Sequence, residues 1–243
     1  MQQLDENIAY EEGTDPDVLL ILFSGFGEFT ASQPYHFLGA AGHYQYSKIY
    51  VRDPTRRLCL HGVGGRHDTL DKLIDVLRVT ATRLKAKKII TVGSSGGSFS
   101  AMLAAHLLKA DYCHAFSPFT YANLERAIQR MDWQVIRRFR WTVLKLNFLP
   151  TRTRQYYDLR KVLADTNGHT RYFLHVCRDY RWDYARAEYL SDLPNVRLLS
   201  YPCNQHVVIR YLAKYKCLNK LFDITLQDKL QELDAIRCAM DGA

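Results

Sequence analysis

The sequence predicts an α/β fold, a mostly parallel sheet with helices on both faces and a helical, basic cap insertion. Three observations point to it: short apolar runs recur along the 243 residues, amphipathic stretches at helical spacing separate them, and glycine-rich turns close two of the runs. With 47% hydrophobic and 24% charged residues the composition is that of a globular chain, and its length suits one large domain over residues 1–243.

The first run, residues 18–23, is apolar throughout, as a strand buried on both faces must be, and it ends in the turn Ser24-Gly25-Phe26-Gly27. Residues 48–51 form a second short strand closed by Arg52-Asp53-Pro54. Leu70, Leu73, Ile74, Leu77 and Leu84 then recur at helical spacing, with Asp68 and Asp71 at the start and Lys85, Lys87 and Lys88 at the end, as the helix dipole favours. Strands follow at 88–92, 112–116, 171–177 and 196–201, and helices at 98–108 and 183–190. Two closing helices are expected at about 207–221 and 226–240.

Between the strands at 88–92 and the helix at 98–108 stands Gly93-Ser94-Ser95-Gly96-Gly97, a GxSxG pattern in a strand-to-helix setting. A serine hydroxyl attacks carbonyls only when a tight turn exposes it to a base and to backbone donors, and small flanking residues let that turn form. Ser95 is therefore the candidate nucleophile. His206, after the strand at 196–201 and the loop Pro202-Cys203-Asn204-Gln205, is the candidate base. For the acid that orients it, Asp179, two residues beyond the strand at 171–177, is favoured over Asp183, which also suits a helix N-cap. Arg178 and Arg181 flank both carboxylates. Gly96, with Gly25 or Phe26 from the 24–27 turn, would supply the oxyanion hole.

Residues 121–171 break the strand–helix alternation and hold seven of the chain's eight net positive charges, together with Trp133, Trp141, Tyr156 and Tyr157. An insertion at this point of an α/β sheet lies above the carboxyl edge where ligands bind. Arg137, Arg138 and Arg140 are thus candidates for an acidic or phosphorylated substrate; arginine stems packed over apolar residues are the equal alternative.

Other classes are disfavoured. Neither a P-loop lysine nor GxGxxG follows the glycine turn, and the histidines near His61 and His67 lack a helical ligand spacing, so neither a metal nor a cofactor is expected. No run approaches a membrane span. Despite a pI of about 9.2, no nucleic-acid motif is recognisable. The polar start without an apolar core suggests a cytoplasmic chain, whose six cysteines are expected mostly reduced, with a Cys177–Cys203 disulfide the minority reading.

In this order, the 24–27 turn, the 93–97 elbow, Asp179 and His206 resemble the α/β-hydrolase superfamily over about residues 18–220. His175-Val176-Cys177-Arg178-Asp179 looks like the segment that closes on the acid there. The resemblance implies an acyl-Ser95 intermediate, a serine esterase, thioesterase or acyltransferase activity on a small-molecule or glycan ester or thioester, acyl-CoA or an acidic sugar among them, and a cap at residues 121–170. Ser24 stands where many members have histidine. The Phe-Ser-Gly turn, Arg52-Asp53-Pro54 and Phe116-Ser117-Pro118 also look like hydrolase-like proteins of bacterial surface polysaccharide biosynthesis. The alternative is a catalytically silent fold that binds an anionic partner through the arginine-rich insertion.

Overall fold

The computed structural model describes the chain except residues 28–29, 31–32, 139, 149–151, 165–168 and 237–243, and the side chains of residues 138, 145, 147 and 148. Eight strands form one sheet: β1 (Gln2–Asp5), β2 (Ile8–Glu11), β3 (Asp15–Phe23), β4 (Tyr46–Val51), β5 (Lys88–Ser94), β6 (Tyr112–Phe116), β7 (Arg171–Cys177) and β8 (Val196–Tyr201). Their spatial order is β1-β2-β4-β3-β5-β6-β7-β8. From β4 to β8 all pairings are parallel, while β1 and β2 add an antiparallel ribbon at one edge. That ribbon is absent from the sequence expectation, because β1 is mostly polar and partly exposed and β2 is only four residues long, with Ile8, Ala9 and Tyr10 buried.

The helices are α1 (Leu38–Ala41), α2 (Leu70–Leu84), α3 (Gly96–Leu108), α4 (Leu124–Gln129), α5 (Trp133–Arg138), α6 (Arg140–Phe148), α7 (Leu159–Ala164), α8 (Arg181–Glu188), α9 (Val208–Lys214) and α10 (Leu218–Leu226). Thr69 starts α2 by accepting from the Lys72 amide at 3.2 Å, and Lys85 ends it in the left-handed region at φ 54°. The single helix expected over 207–221 is two, α9 and α10, broken where Lys216 turns left-handed at φ 55°. The closing helix expected near 226–240 starts later: α10 ends at Leu226, a short turn of 3₁₀ helix spans Leu230–Glu232, residues 233–236 are helical, and residues 237–240 lie outside the described residues.

Alternation along β3 explains its apolar run. Leu19, Ile21 and Phe23 enter one core with α2 and α3, whereas Val18, Leu20 and Leu22 enter the other with α9 and α10. Each such side chain contributes about 1.5–3 kcal/mol when fully buried. Ala127, Val135, Val143 and Leu146 of the 121–170 segment belong to the α2–α3 core. In this parallel frame the loops after β3, β5, β6, β7 and β8 converge on the carboxyl edge.

The second core encloses a chain of neutral polar groups. Tyr201 Oη lies 2.9 Å from His175 Nδ1, His175 Nε2 lies 3.0 Å from His114 Nδ1, and His114 Nε2 lies 3.0 Å from Thr225 Oγ1. Thr225 donates to the Phe222 carbonyl, so each ring nitrogen has one consistent role, with hydrogen on both Nε2 atoms. Burial pushes His114 down to about 3 and His175 well below its usual value. Unfolded, both histidines protonate near pH 6.5, so the unfolded state binds more protons below that pH and is favoured there. Chemical denaturation should show stability falling from pH 7 to pH 5, above the range where carboxylates titrate, with a shallower fall in His114→Asn. A flat profile would remove the pair from the account of acid stability.

Candidate active site

The turn from β5 into α3 is held by close backbone contact. A Cβ on Gly93 would lie 2.2 Å from the Gly97 carbonyl oxygen, and one on Gly97 would lie 2.5 Å from the Ser24 carbonyl oxygen. Only glycine lets α3 lie back on β5 and β3 this tightly. Ser95 at the apex adopts φ 53° and ψ −124°, a strained conformation for a residue with a side chain. Its amide is bonded to the Phe116 carbonyl at 2.9 Å, which ties the apex to the end of β6.

Ser95 Oγ lies 2.9 Å from His206 Nε2. His206 Nδ1 meets Asp183 Oδ2 at 2.8 Å and Oδ1 at 3.1 Å. A carboxylate only accepts, so Nδ1 carries the hydrogen and Nε2 presents its lone pair to the serine hydroxyl. The loop holding His206 is fixed from below: Ser117, left-handed at φ 49°, donates its hydroxyl to the His206 carbonyl and accepts from the Val208 amide at 3.2 Å.

The carboxylate in this chain is Asp183 and not the favoured Asp179. After β7 the backbone turns at once, with the Asp179 amide bonded to the Cys203 carbonyl at 3.1 Å and the Asp179 side chain exposed. Asp183, in the first turn of α8, is fully buried at 0% exposure and aims across at His206. Its cationic neighbour also differs from the expected Arg178 and Arg181. Arg186, one helical turn on, contacts Asp183 Oδ1 at 3.4 Å, while Arg181 lies over the Trp182 ring at 4.6 Å.

Of the oxyanion candidates, Gly96 opens α3, where first-turn amides have no intrahelical acceptor. The Phe26 ring lies against it, so close that a Cβ on Gly96 would come within 2.7 Å of that ring. The Gly25 amide, by contrast, is bonded to His36 Nδ1 at 3.1 Å, and the His36 amide donates to Ser24 Oγ at 3.0 Å. Burial lowers the His36 imidazole below its usual pKa, which suits this acceptor role. His36 carried no signal in the sequence, because it lies in a loop without a pattern.

Five arginines of the basic insertion fall into two groups. Arg126, Arg130 and Arg160 surround the Tyr189 ring at 5.6, 4.8 and 5.5 Å, and the Tyr189 hydroxyl donates to Asp158, so these cations are packing groups. Arg137 and Arg140 instead line a cavity of about 580 Å³ with Leu124, Ile136, Val143 and Leu144. Arg137 also borders a cleft of about 460 Å³ with Trp133, Gln134 and Trp182. Gln134 joins this cleft to the site, donating to the Tyr180 hydroxyl at 2.6 Å, and the Tyr180 ring lies 5.9 Å from that of His206. The Arg138 side chain lies outside the described residues.

Comparison with solved structures gives the fold a name. The capsule O-acetyltransferase of Neisseria meningitidis serogroup A superposes with a TM-score of 0.60 at 14% identity, over 90% of this chain and 90% of that one. MGS-M2, an α/β-hydrolase enzyme from a deep-sea metagenome library, superposes with a TM-score of 0.54 at 16% identity, over 91% and 95%. The fold is that of the α/β hydrolases. A fluorophosphonate-binding serine hydrolase of Staphylococcus aureus shares this α/β-hydrolase architecture at 14% identity, with a TM-score of 0.54 over 83% of this chain and 82% of that one. No protein-family model and no curated protein matches the sequence. No helix among the described residues is long and apolar enough to cross a membrane.

One covalent link reinforces the site. Cys177, at the end of β7, and Cys203, three residues before His206, form a disulfide with Cα atoms 4.8 Å apart, whereas Cys59, Cys113 and Cys217 are free and buried. The expectation of reduced thiols fails at this pair because β7 and β8 are neighbours in register, Cys177 opposite Tyr201. The bond closes a 26-residue separation between the segments carrying Asp183 and His206. Peptide mapping without reductant should recover the Cys177 and Cys203 peptides linked, and Cys203→Ser should cost about 3 kcal/mol of stability in a denaturant titration. Two free thiols in the native protein would contradict this.

Proposed function

We propose that the protein is a serine hydrolase or acyltransferase that works through an acyl-Ser95 intermediate on an ester or thioester. The observation that carries this reading is the unbroken chain from Ser95 Oγ through His206 to buried Asp183, with links of 2.9 and 2.8 Å. In the first step His206 Nε2 takes the Ser95 proton as Oγ attacks the substrate carbonyl carbon. Asp183 stabilises the imidazolium, and the Gly96 amide faces the oxyanion. The 24–27 turn is the proposed source of the second donor, Gly25 or Phe26, with the Gly25 amide lying 3.1 Å from His36 Nδ1 in this structure. As the tetrahedral intermediate collapses, His206 Nε2 returns the proton to the departing alkoxide or thiolate. Water or an acceptor hydroxyl then attacks the acyl-serine by the reverse sequence.

For the substrate we propose an anionic ester or thioester. Arg137 and Arg140 line apolar cavities in the insertion, and Trp133 and Trp182 border one of them, so a phosphate or carboxylate can be held beside a stacked ring or an acyl chain. The fold is also that of an O-acetyltransferase solved in complex with CoA, which supports including acyl-CoA donors among the candidates.

The reading is tested with acyl-CoA thioesters, acetylated sugars and short p-nitrophenyl esters. Wild type should turn over at least one class, and Ser95→Ala none. Asp183→Asn should lower kcat by about 10³ to 10⁴-fold, as loss of the orienting acid does in a triad, with Asp179→Asn close to wild type. Equal losses in the two aspartate variants would sink the acid assignment. Arg137→Ala should raise KM for acidic substrates about tenfold and leave neutral esters unchanged, consistent with losing one charged hydrogen bond; an equal rise for both would remove the anion-binding role.

A further inference from the structure

Behind Asp183 lies a second buried carboxylate. Arg186, 1% exposed, makes a two-pronged contact with Asp132 from the insertion: Nε to Oδ2 at 2.7 Å and Nη2 to Oδ1 at 3.0 Å. Its third nitrogen, Nη1, faces Asp183 Oδ1 at 3.4 Å, and Nη2 also donates to Gln134 Oε1 at 2.9 Å. Asp132, 4% exposed, accepts further bonds from the Tyr121 hydroxyl at 2.8 Å and the Val135 amide at 3.1 Å. Burial pushes the Asp132 carboxyl up, but the Arg186 guanidinium more than offsets it and holds it below the usual carboxylate range. The line of charges running inward from the imidazole is therefore Asp183, Arg186, Asp132.

Resting on the triad reading above, we propose that Arg186 and Asp132 are positioning residues that set how much negative charge Asp183 offers to His206. A buried arginine touching Asp183 alone would neutralise the carboxylate that has to stabilise the imidazolium. Asp132 takes up most of that arginine's charge through its shorter, two-pronged contact, so Asp183 stays locked in place by Nη1 yet retains its charge for His206. The same Asp132 opens α5, through the Val135 amide, and α5 carries Trp133 and Arg137. One carboxylate thus seats the helix bordering the candidate substrate cleft and balances the charge behind the triad.

Among the described residues, the groups facing His206 are Ser95 from the elbow, Ser117 from beyond β6, and Asp183 and the Tyr180 ring from the segment after β7; Arg186 and Asp132 stand behind Asp183. This arrangement gives opposite signs for the two partners. Removing Asp132's charge leaves Arg186 to Asp183 and disfavours the imidazolium; removing Arg186's charge favours it.

The test is the pH dependence of fluorophosphonate labelling, whose acid limb reports the base. In Asp132→Asn the limb should move down by about one pH unit, and in Arg186→Met up by about one unit, the size expected for one close charge. Gln134→Glu, a nearly isosteric change at a half-buried position, keeps the proposal testable if either buried variant fails to fold: its added charge shares Arg186 and should move the limb upward. Limbs that stay within about 0.2 units in every folded variant, or move in the same direction in Asp132→Asn and Arg186→Met, overturn the proposal. Wild-type protein that takes no label at all overturns the triad reading instead.

Discussion

The site depends on a backbone contact that leaves no room for side chains. Gly93 and Gly97 bring the start of α3 down onto the ends of β5 and β3, and the turn this forces lifts Ser95 into a positive-φ apex above the sheet. A larger residue at either glycine has to push α3 away from β3, and with it the first-turn amides to which the proposed mechanism gives the oxyanion. The strain at Ser95 is offset by what surrounds it: β5 is paired on both sides, to β3 and to β6, and the Ser95 amide is bonded to the end of β6. A rigid central strand is what allows a strained apex to persist.

From that apex the chemistry runs inward along charges that water does not reach. Asp183 is wholly buried, so protein groups must take the place of water around its carboxylate. Two contacts do so, the His206 ring on one side and Arg186 on the other. Arg186 would itself be costly to bury without Asp132, Gln134 and the other acceptors around it, so the cost of one ionised acid is spread over a satisfied network. The insertion supplies Asp132 and Gln134, which makes it part of the site's electrostatics whatever substrate it meets.

Much of the parallel sheet was legible because the central strands are buried on both faces and read as continuous apolar runs; β6, β7 and β8 begin and end where the sequence pattern places them. The antiparallel β1–β2 ribbon was not, since β1 is a polar edge strand and the buried run of β2, Ile8, Ala9 and Tyr10, is only three residues long. Within the site, the elbow glycines, Ser95 and His206 announce themselves by local pattern. The choice between Asp179 and Asp183 does not, because distance beyond a strand says nothing about direction: the backbone of Asp179 is spent on Cys203 and its side chain faces solvent, while the first turn of α8 aims Asp183 inward. Arg186 was available as the residue one helical turn from Asp183, but only burial distinguishes it from the flanking arginines. Five of the insertion's basic residues fall into two places, three in a packing cluster around Tyr189 and two at the cavities.

The central claim is that this framework makes Ser95, among several neighbouring serines, a nucleophile. Peptide-resolved mass spectrometry of the protein after reaction with a fluorophosphonate addresses it directly. The account predicts a single adduct, on Ser95, formed at a rate that drops sharply when His206 is replaced by asparagine. An adduct on Ser94 or Ser98, or labelling of Ser95 that is indifferent to His206, would contradict it.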